Sequence, residues 1–455
     1  MNRPDRREVL SQLVDRLDGV RSAPGSVPSA QAFREGVRDL VVVASSSRGG
    51  SSVVSEILRH ASDALHFRAE VNPFFVLGGL DPAQSGTGCD FLSAADLHAT
   101  TKVDRLLGEM SMDLGRGRSD LSDDPELEAF GRDLVRRLSI QWPLVVFQEN
   151  RVREDARATY RELVDHHGWV DGEFPDARLF HVIFLGKVAE THPEVNAYYY
   201  DLSPNLIERW IPDLVVPTGP PGPVIVEEPP FVCIRPWRPA SLDELQRMPV
   251  IVKTPSNVHR WDFLRGLFPS ARIRVFHLTR NAAASINGLV DGWRYNGFYS
   301  HRSSNPLRIA GYSDRTGPFG EHWWKFDVPP GWEDFAERPL VEVCAYQWLT
   351  AHQGTLEFLS SSGVEVHRAR FEELVGDVEN RECSFERLTD WLGIEYAGRL
   401  REVIREGLPP VMATGRPRSR RWYDRAALLG PVLETDDIGK MMERLGYERD
   451  LDTWT

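Results

Sequence analysis

The sequence predicts an α/β protein with a central parallel sheet flanked by helices. Three observations lead to this fold class: a strand, small-residue loop and helix over residues 39–61, a second strand and helix over 250–267, and a third strand from residue 273 that leads into a helix near 282. A chain that alternates strands with helices is typical of parallel sheets, because each helix carries the chain back to the start of the next strand.

Two elements near the N-terminus follow from residue spacing. Residues 5–19 have apolar side chains at helical intervals and predict an amphipathic helix, and the Ser, Pro and Gly residues of 22–30 predict a connector. We therefore divide the chain into an N-terminal helix and linker, 1–30, and one main domain, 31–455. The run 39–44 is apolar and β-branched, which is typical of a strand buried on both faces.

Residues 80–240 predict a large insertion or cap over the sheet. Within it, 144–147 and 179–185 have the composition of strands, and 201–209 has that of a helix start. Closely spaced prolines from 217 to 230 predict irregular chain.

The α/β pattern returns after the insertion. We expect strands at 250–253, 273–278 and 364–368. Helices are expected at 261–267, from about 282, at 340–360 and at 385–392.

Bulk composition excludes several classes of protein. A formal net charge of −13 argues against a general nucleic-acid-binding role, which needs a basic face. The four cysteines lie far apart and indicate neither a disulfide framework nor a zinc site. No apolar run approaches membrane-spanning length, and the first residues are charged without a hydrophobic signal core, so we expect a cytoplasmic protein that has no membrane partner. The oligomeric state is left open.

A small-residue loop follows the first strand and has the composition of an anion site. Its glycines allow backbone N–H groups to approach an anion, its arginine adds a charge, and the following helix adds free N–H donors. The candidate ligands are Ser47, Arg48, Gly49, Gly50, Ser51 and Ser52. A nucleotide-triphosphatase loop would have lysine after its last glycine, whereas Ser51 follows Gly50 here. The strand predicted at 273–278 leads into Thr279 and Arg280, with no aspartate at its end to hold Mg²⁺.

Several motifs in the right order resemble the family of PAPS-dependent sulfotransferases, where PAPS is 3'-phosphoadenosine 5'-phosphosulfate. Arg48 to Ser52 resembles the family's 5'-phosphosulfate loop, and Arg280-Asn281 resembles the strand end that holds the 3'-phosphate. The stretches 253–255, 267–272, 366–374, 391–394 and 421–447 resemble further family blocks. The chain departs from the family at Ala282, where a proline is usual, and in the short spacing from Arg280 to Ser285.

This resemblance implies a P-loop-containing fold and a sulfuryl transfer from PAPS. The acceptor would be a hydroxyl or amine of a small molecule or glycan, and the 80–240 insertion would contribute to acceptor binding. The product nucleotide would be adenosine 3',5'-bisphosphate (PAP). No metal would be required. Arg280 and Ser285 would hold the 3'-phosphate, and the basic stretch 416–421, with Arg421, would fold over it.

Sulfuryl transfer needs a base near the phosphosulfate, and the resemblance places it after the first helix. We assign Glu70 as the base, with His66 as the alternative. Arg48 would offset charge on the leaving phosphate, and Lys253 would assist it or contact the acceptor. Two other functions stay open: a P-loop small-molecule kinase, which would bind ATP with Mg²⁺, and a non-catalytic PAPS-binding protein.

Overall fold

One seven-stranded sheet and a separate two-stranded sheet organise the chain. The computed structural model describes residues 4–20, 27–117, 121, 124–408, 410–415 and 418–454. The strands are β1 Asp39–Ala44, β2 Leu65–Phe67, β3 Leu114–Gly117, β4 Trp237–Pro239, β5 Val250–Lys253, β6 Arg272–Thr279, β7 His301–Arg302, β8 Trp323–Trp324 and β9 Glu365–Arg370.

Helices cover both faces of the large sheet. The α-helices are α1 Arg6–Gly19, α2 Ala30–Gly36, α3 Ser51–Leu58, α4 Asn72–Leu77, α5 Ala94–Ala99, α6 Val103–Asp113, α7 Asp124–Gln141, α8 Glu149–His166, α9 Ala177–Thr191, α10 Pro204–Trp210, α11 Leu242–Arg247, α12 Trp261–Leu267, α13 Ala282–Arg294, α14 Leu340–Ser362, α15 Phe371–Leu374, α16 Val378–Leu392, α17 Gly398–Glu406, α18 Ala426–Leu433 and α19 Asp436–Arg444. Short 3₁₀ helices, among them Pro255–His259, join some of these elements.

The order of the large sheet is β4-β3-β2-β5-β1-β6-β9. Five neighbouring strands run parallel to one another, in the order β2-β5-β1-β6-β9. Strand β3 is antiparallel to both of its neighbours, β2 and β4. The predicted α/β class is confirmed as a mostly parallel sheet flanked by helices. Because the parallel strands all end on one side, we call that side the carboxyl edge.

The central strand β1 is buried on both faces, as its sequence predicts. Leu40 and Val42 pack in one core with helices that include α6 and α12. Val41 and Val43 pack in another core with α3, α16 and α17. Apolar side chains at consecutive positions can all be buried because successive strand residues point to opposite faces.

The insertion contributes both helices and strands. Its helices α7 to α10 enclose an apolar core of their own, and its ends supply β3 and β4, which extend the large sheet. Two predicted strands are wrong. Residues 179–185 lie inside α9, whose first turn is capped by the Asp176 carboxylate, and most of this run is apolar and buried on all sides rather than along one stripe. Residues 144–147 are irregular chain after α7.

The remaining expectations about elements are mostly confirmed. The predicted N-terminal helix is α1, which begins after the capping side chain of Asp5. The predicted strands at 250–253, 273–278 and 364–368 correspond to β5, β6 and β9, and the predicted helix at 340–360 is α14. The helix start at 201–209 is α10, and 217–230 forms no helix or strand.

Candidate functional site

The predicted site residues gather at the carboxyl edge. The Ser45–Ser52 loop follows β1, Glu70 follows β2, and Lys253 ends β5. Arg280 follows β6 directly. Since β2, β5, β1 and β6 are successive neighbours in the sheet, four adjacent strand ends present these side chains to one region.

The loop between β1 and α3 is held in a shape that only glycine permits at two positions. A Cβ atom on Gly49 would lie 2.2 Å from Ser45 Oγ and 2.8 Å from the Ser46 carbonyl oxygen. Gly50 has φ of +98°, and a Cβ there would lie 2.2 Å from the Phe371 ring. Both glycines are therefore closely packed against neighbouring atoms, and α3 follows directly with Ser51 as its first residue.

Three arginines come together beside this loop, and we call Arg48, Arg280 and Arg421 the arginine cluster. Arg280 Nη1 donates to the carbonyl oxygen of Arg48 at 3.2 Å. The guanidinium of Arg280 lies over the Phe371 ring at 4.9 Å, and that of Arg48 lies over the Phe298 ring at 5.4 Å. The positive charges of Arg280 and Arg421 act on Arg48, so all three lie within electrostatic range of one another.

The cluster has fewer carboxylates than cations. Arg421 pairs with Asp291, but within the described ranges neither Arg48 nor Arg280 has a carboxylate oxygen within 4 Å. Burial, together with the neighbouring Arg280 charge, lowers the pKa of Arg48 to about 10. Burial also lowers the pKa of Arg280. Both guanidinium groups stay charged at neutral pH at an electrostatic cost, which a bound anion would offset.

A segment near the C-terminus covers Arg48. Nη1 of Arg48 donates to the Met412 carbonyl at 2.7 Å, and Nη2 donates to Thr414 Oγ1 at 3.2 Å. The insertion holds the same segment: Asp201 accepts from the Met412 amide at 3.0 Å, and Arg178 donates to the Pro410 carbonyl at 2.7 Å. The 410–414 segment thus bridges the insertion and the loop.

The predicted basic stretch 416–421 is only partly described. Arg416 lies outside the described residues. Arg418 and Arg420 are exposed, with Arg418 paired to Asp424 and Arg420 donating to the Asp452 carbonyl. Of the described arginines in this stretch, only Arg421 joins the arginine cluster.

Ser285 lies in the first turn of α13, just after Arg280. It is fully buried, and its Oγ has no hydrogen-bond partner in the described part of the chain. Buried hydroxyl groups are normally paired, so this one is available to a ligand or a water molecule.

Glu70, Lys253 and Ser52 form a connected group on the other side of the loop. Lys253 Nζ donates to Glu70 Oε1 and also to Ser52 Oγ, the latter at 2.9 Å. Lys253 is mostly buried, whereas 38% of the Glu70 side chain is exposed. A carboxylate that is anchored at one oxygen and open to solvent can accept a proton from a ligand.

His66 is placed apart from this group. It lies within β2, paired with β3 and β5, and its ring faces the end of α3 at Leu58. Burial, with the charge of Arg59, lowers the pKa of His66 to about 3. The imidazole is neutral at physiological pH and far less basic than a free histidine, which favours Glu70 over His66 as the base.

Two acidic residues at the site were missed by sequence reasoning. Asp327 Oδ1 accepts from Ser47 Oγ at 2.7 Å and so fixes the middle of the loop from a segment 280 residues away. Glu228 lies in the insertion, close enough to Glu70 for the charges to interact. No motif or periodicity surrounds either residue in the sequence.

Two cavities lie near the ends of β6 and β9. The larger is about 480 Å³ and is lined in part by Asn281, Glu372 and Tyr447; the smaller is about 310 Å³ and is lined in part by Thr279 and Arg370. Among the described residues, neither lining includes Glu70 or a member of the arginine cluster.

Comparison with protein-family models, curated proteins and solved structures gives no match for this chain. Within the described ranges, no cluster of three or more His, Cys, Asp or Glu side chains is arranged to hold a metal ion. In the same ranges, no helix has the length and apolar character needed to cross a membrane. The function has to be inferred from the residues at the carboxyl edge.

Proposed function

We propose that this chain is a sulfotransferase that moves a sulfuryl group from PAPS to a hydroxyl or amine of a small-molecule or glycan acceptor. The observation that carries this proposal is the arginine cluster. Arg48 and Arg280 follow adjacent parallel strands, contact each other, and have no carboxylate partner in the described part of the chain. A nucleotide with anionic groups on both its 5' and 3' positions would offset both charges.

The loop after β1 supports binding of the 5' end as a P-loop would. Gly49 and Gly50 allow this tight turn, and α3 would present its N-terminal N–H groups and the Ser51 and Ser52 side chains to an anion. The 3'-phosphate would bind Arg280, with Ser285 as a hydroxyl donor and Arg421 closing over it. PAPS is the donor substrate, PAP is the product, and the reaction needs no metal.

The transfer is a single displacement at sulfur. The acceptor oxygen or nitrogen forms a bond to sulfur while the bond from sulfur to the bridging oxygen of the 5'-phosphate breaks. The acceptor proton passes to Glu70, which Lys253 anchors next to Ser52. Arg48 offsets the negative charge that develops on the leaving phosphate.

The kinase alternative is disfavoured by the loop sequence, since Ser51 occupies the position of the lysine that holds ATP phosphates. Calorimetry with PAP and with ATP–Mg²⁺ tests this choice. We expect PAP to bind more tightly, because ATP lacks the 3'-phosphate that Arg280 would contact.

Adenosine without phosphate groups serves as the control for binding of the base alone. ATP–Mg²⁺ binding that equals or exceeds PAP binding would overturn the sulfotransferase proposal. PAP binding without any turnover of PAPS in the presence of an acceptor would instead indicate a non-catalytic PAPS-binding protein.

A further inference from the structure

A set of acidic side chains lies near the loop between β1 and α3. We call Glu70, Glu228 and Asp327 the carboxylate side. Glu70 is paired with Lys253, but Glu228 and Asp327 have no lysine or arginine nitrogen within 4 Å in the described residues. A partly or fully buried carboxylate without a nearby cation is unusual in a folded protein, as is a buried arginine without a nearby carboxylate.

Glu228 is held in place by neutral groups. Asn72 Nδ2 donates to Glu228 Oε1 at 3.0 Å, and the Ser300 hydroxyl also bonds to the carboxylate. Burial raises the pKa of Glu228, the charges of Glu70 and Asp90 raise it further, and the charge of His301 and the Ser300 bond oppose this rise. A positive charge placed beside it would favour the ionised carboxylate.

Asp327 has one oxygen in use and one without a hydrogen bond. Oδ1 accepts from Ser47, while Oδ2 makes no hydrogen bond and lies 3.6 Å from His259 Nε2. Only 4% of Asp327 is exposed. His259 Nε2 is also buried without a hydrogen bond, so both facing atoms keep hydrogen-bonding capacity for a ligand.

Ser300 places Glu228 and Asp327 close to each other. Ser300 Oγ, which bonds to Glu228, also accepts from the amide of Phe326 at 2.9 Å, directly before Asp327. His301 follows Ser300, and its Nε2 is likewise buried without a hydrogen bond.

Nearby cations are already engaged. Arg260 pairs with Asp90 and donates to Asn72 Oδ1 at 2.7 Å. Lys325 Nζ donates to the Tyr295 carbonyl at 2.6 Å and lies over the rings of Tyr299 and Tyr312.

We propose that Glu228 and Asp327 bind an ammonium group of the acceptor, so that the acceptor is an amino alcohol such as an amino sugar, with its hydroxyl facing Glu70. This inference rests on the proposed sulfuryl transfer for the role of Glu70. In that reaction the hydroxyl oxygen bonds to sulfur, the hydroxyl proton passes to Glu70, and the 5'-phosphate oxygen leaves. The ammonium group stays protonated on the carboxylate side and fixes which hydroxyl is presented.

Calorimetry of the full chain loaded with PAP tests the ammonium site. The probes are glucosamine and kanamycin, each compared with its fully N-acetylated form, which keeps the hydroxyl groups and lacks the positive charge. We expect at least one charged probe to bind more tightly than its acetylated form. Glu228→Gln should reduce that preference about 10-fold to 100-fold, as for loss of a charge-assisted hydrogen bond.

Glu337→Gln is the matched control, because Glu337 is an exposed carboxylate that pairs with Arg308 at the surface. Asp327→Asn, which keeps an oxygen for Ser47, provides a second variant if Glu228→Gln does not fold. Equal binding of charged and acetylated forms, or no binding of either charged probe, would overturn the ammonium site. A separate titration with PAP alone distinguishes the two proposals. Failure of PAP to bind contradicts the proposed function, whereas the comparison of charged and acetylated probes tests the ammonium site.

Discussion

The arginine cluster and the carboxylate side both lie near the loop between β1 and α3 and carry opposite charges. In the part of the chain that the structure describes, Arg48 and Arg280 have no carboxylate oxygen within 4 Å, although Asp291 and Glu372 act on them at longer range. Glu228 and Asp327 have no lysine or arginine nitrogen within 4 Å in the same ranges. Stable proteins normally pair such groups within the fold. This contrast is what the proposed function would require, with an anionic donor at the arginine cluster and a cationic acceptor at the carboxylate side.

The largest expected effect is on the carboxylate side, at the proposed base. Glu70→Gln should reduce turnover by about 10²-fold to 10⁴-fold, because glutamine cannot take the acceptor proton. The affinity for PAP should be unchanged, since Glu70 does not belong to the arginine cluster. Steady-state turnover and calorimetry on the same preparation measure the two effects.

The matched control for this variant is Glu162→Gln. Glu162 also pairs with a lysine, Lys187 at 3.0 Å, but on the helices of the insertion. Turnover of Glu70→Gln close to that of Glu162→Gln would remove Glu70 from the mechanism and leave the carboxylate side with a binding role alone.

A smaller effect is expected on the arginine side. Arg280→Ala should weaken PAP binding by about 10-fold to 100-fold, the range for losing a charge-assisted hydrogen bond to a phosphate. Adenosine 5'-phosphosulfate, which lacks the 3'-phosphate, should lose much less affinity. Calorimetry with both nucleotides gives the comparison.

Arg401→Ala is the control, because Arg401 also lies over an aromatic ring, that of Tyr396, but is half-exposed and outside the arginine cluster. Equal losses for both nucleotides in Arg280→Ala would contradict a specific 3'-phosphate contact. The arginine cluster would then have no demonstrated preference for a nucleotide with a 3'-phosphate.

The smallest effect concerns Lys325, a buried cation next to the carboxylate side. Burial lowers the pKa of Lys325 to about 7, from an ordinary value of 10.5. Between these values the unfolded chain binds more protons than the folded chain, so this residue makes the free energy of unfolding rise with pH. The rise is no more than about 1.4 kcal/mol per pH unit.

Lys325→Met should abolish that contribution while keeping the apolar stem. Denaturant unfolding of both proteins between about pH 6 and about pH 9 measures it. If the difference in the free energy of unfolding between the two proteins does not change with pH, Lys325 stays protonated. The surroundings of the carboxylate side would then carry less net negative charge.

Regular elements with strong local patterns were predictable from the sequence. The run 39–44 predicted a buried strand, and the spacing of 5–19 predicted a helix, as the structure has them. The pattern failed at 179–185, because a segment buried on all sides has no stripe to distinguish helix from strand. Strand β3 was missed because its pairing depends on a close approach: a Cβ on Gly115 would lie 2.1 Å from the Arg238 carbonyl oxygen.

The candidate site also contains residues that the sequence could predict and residues that it could not. Arg48, Arg280, Glu70 and Lys253 lie in short segments directly after strands, so the sequence could nominate them together. Glu228 and Asp327 reach the site from irregular segments far along the chain, and only the tertiary fold brings them there. The sequence likewise could not show that His66 is buried inside the sheet.

The 410–414 segment has a consequence for how tightly an anion can be held. Met412 and Thr414 each accept one hydrogen bond from a terminal nitrogen of Arg48, while Arg48 Nε has no hydrogen-bond partner in the described residues. A guanidinium has further N–H donors beyond these two bonds, so an anion can bind Arg48 while the segment stays in place. Asp201 and Arg178 hold the other side of this segment, so the position of Arg48 depends in part on the insertion. If the affinity of Arg48 for an anion depends on the position of the segment, then by thermodynamic reciprocity the bound anion changes how tightly the insertion holds the segment.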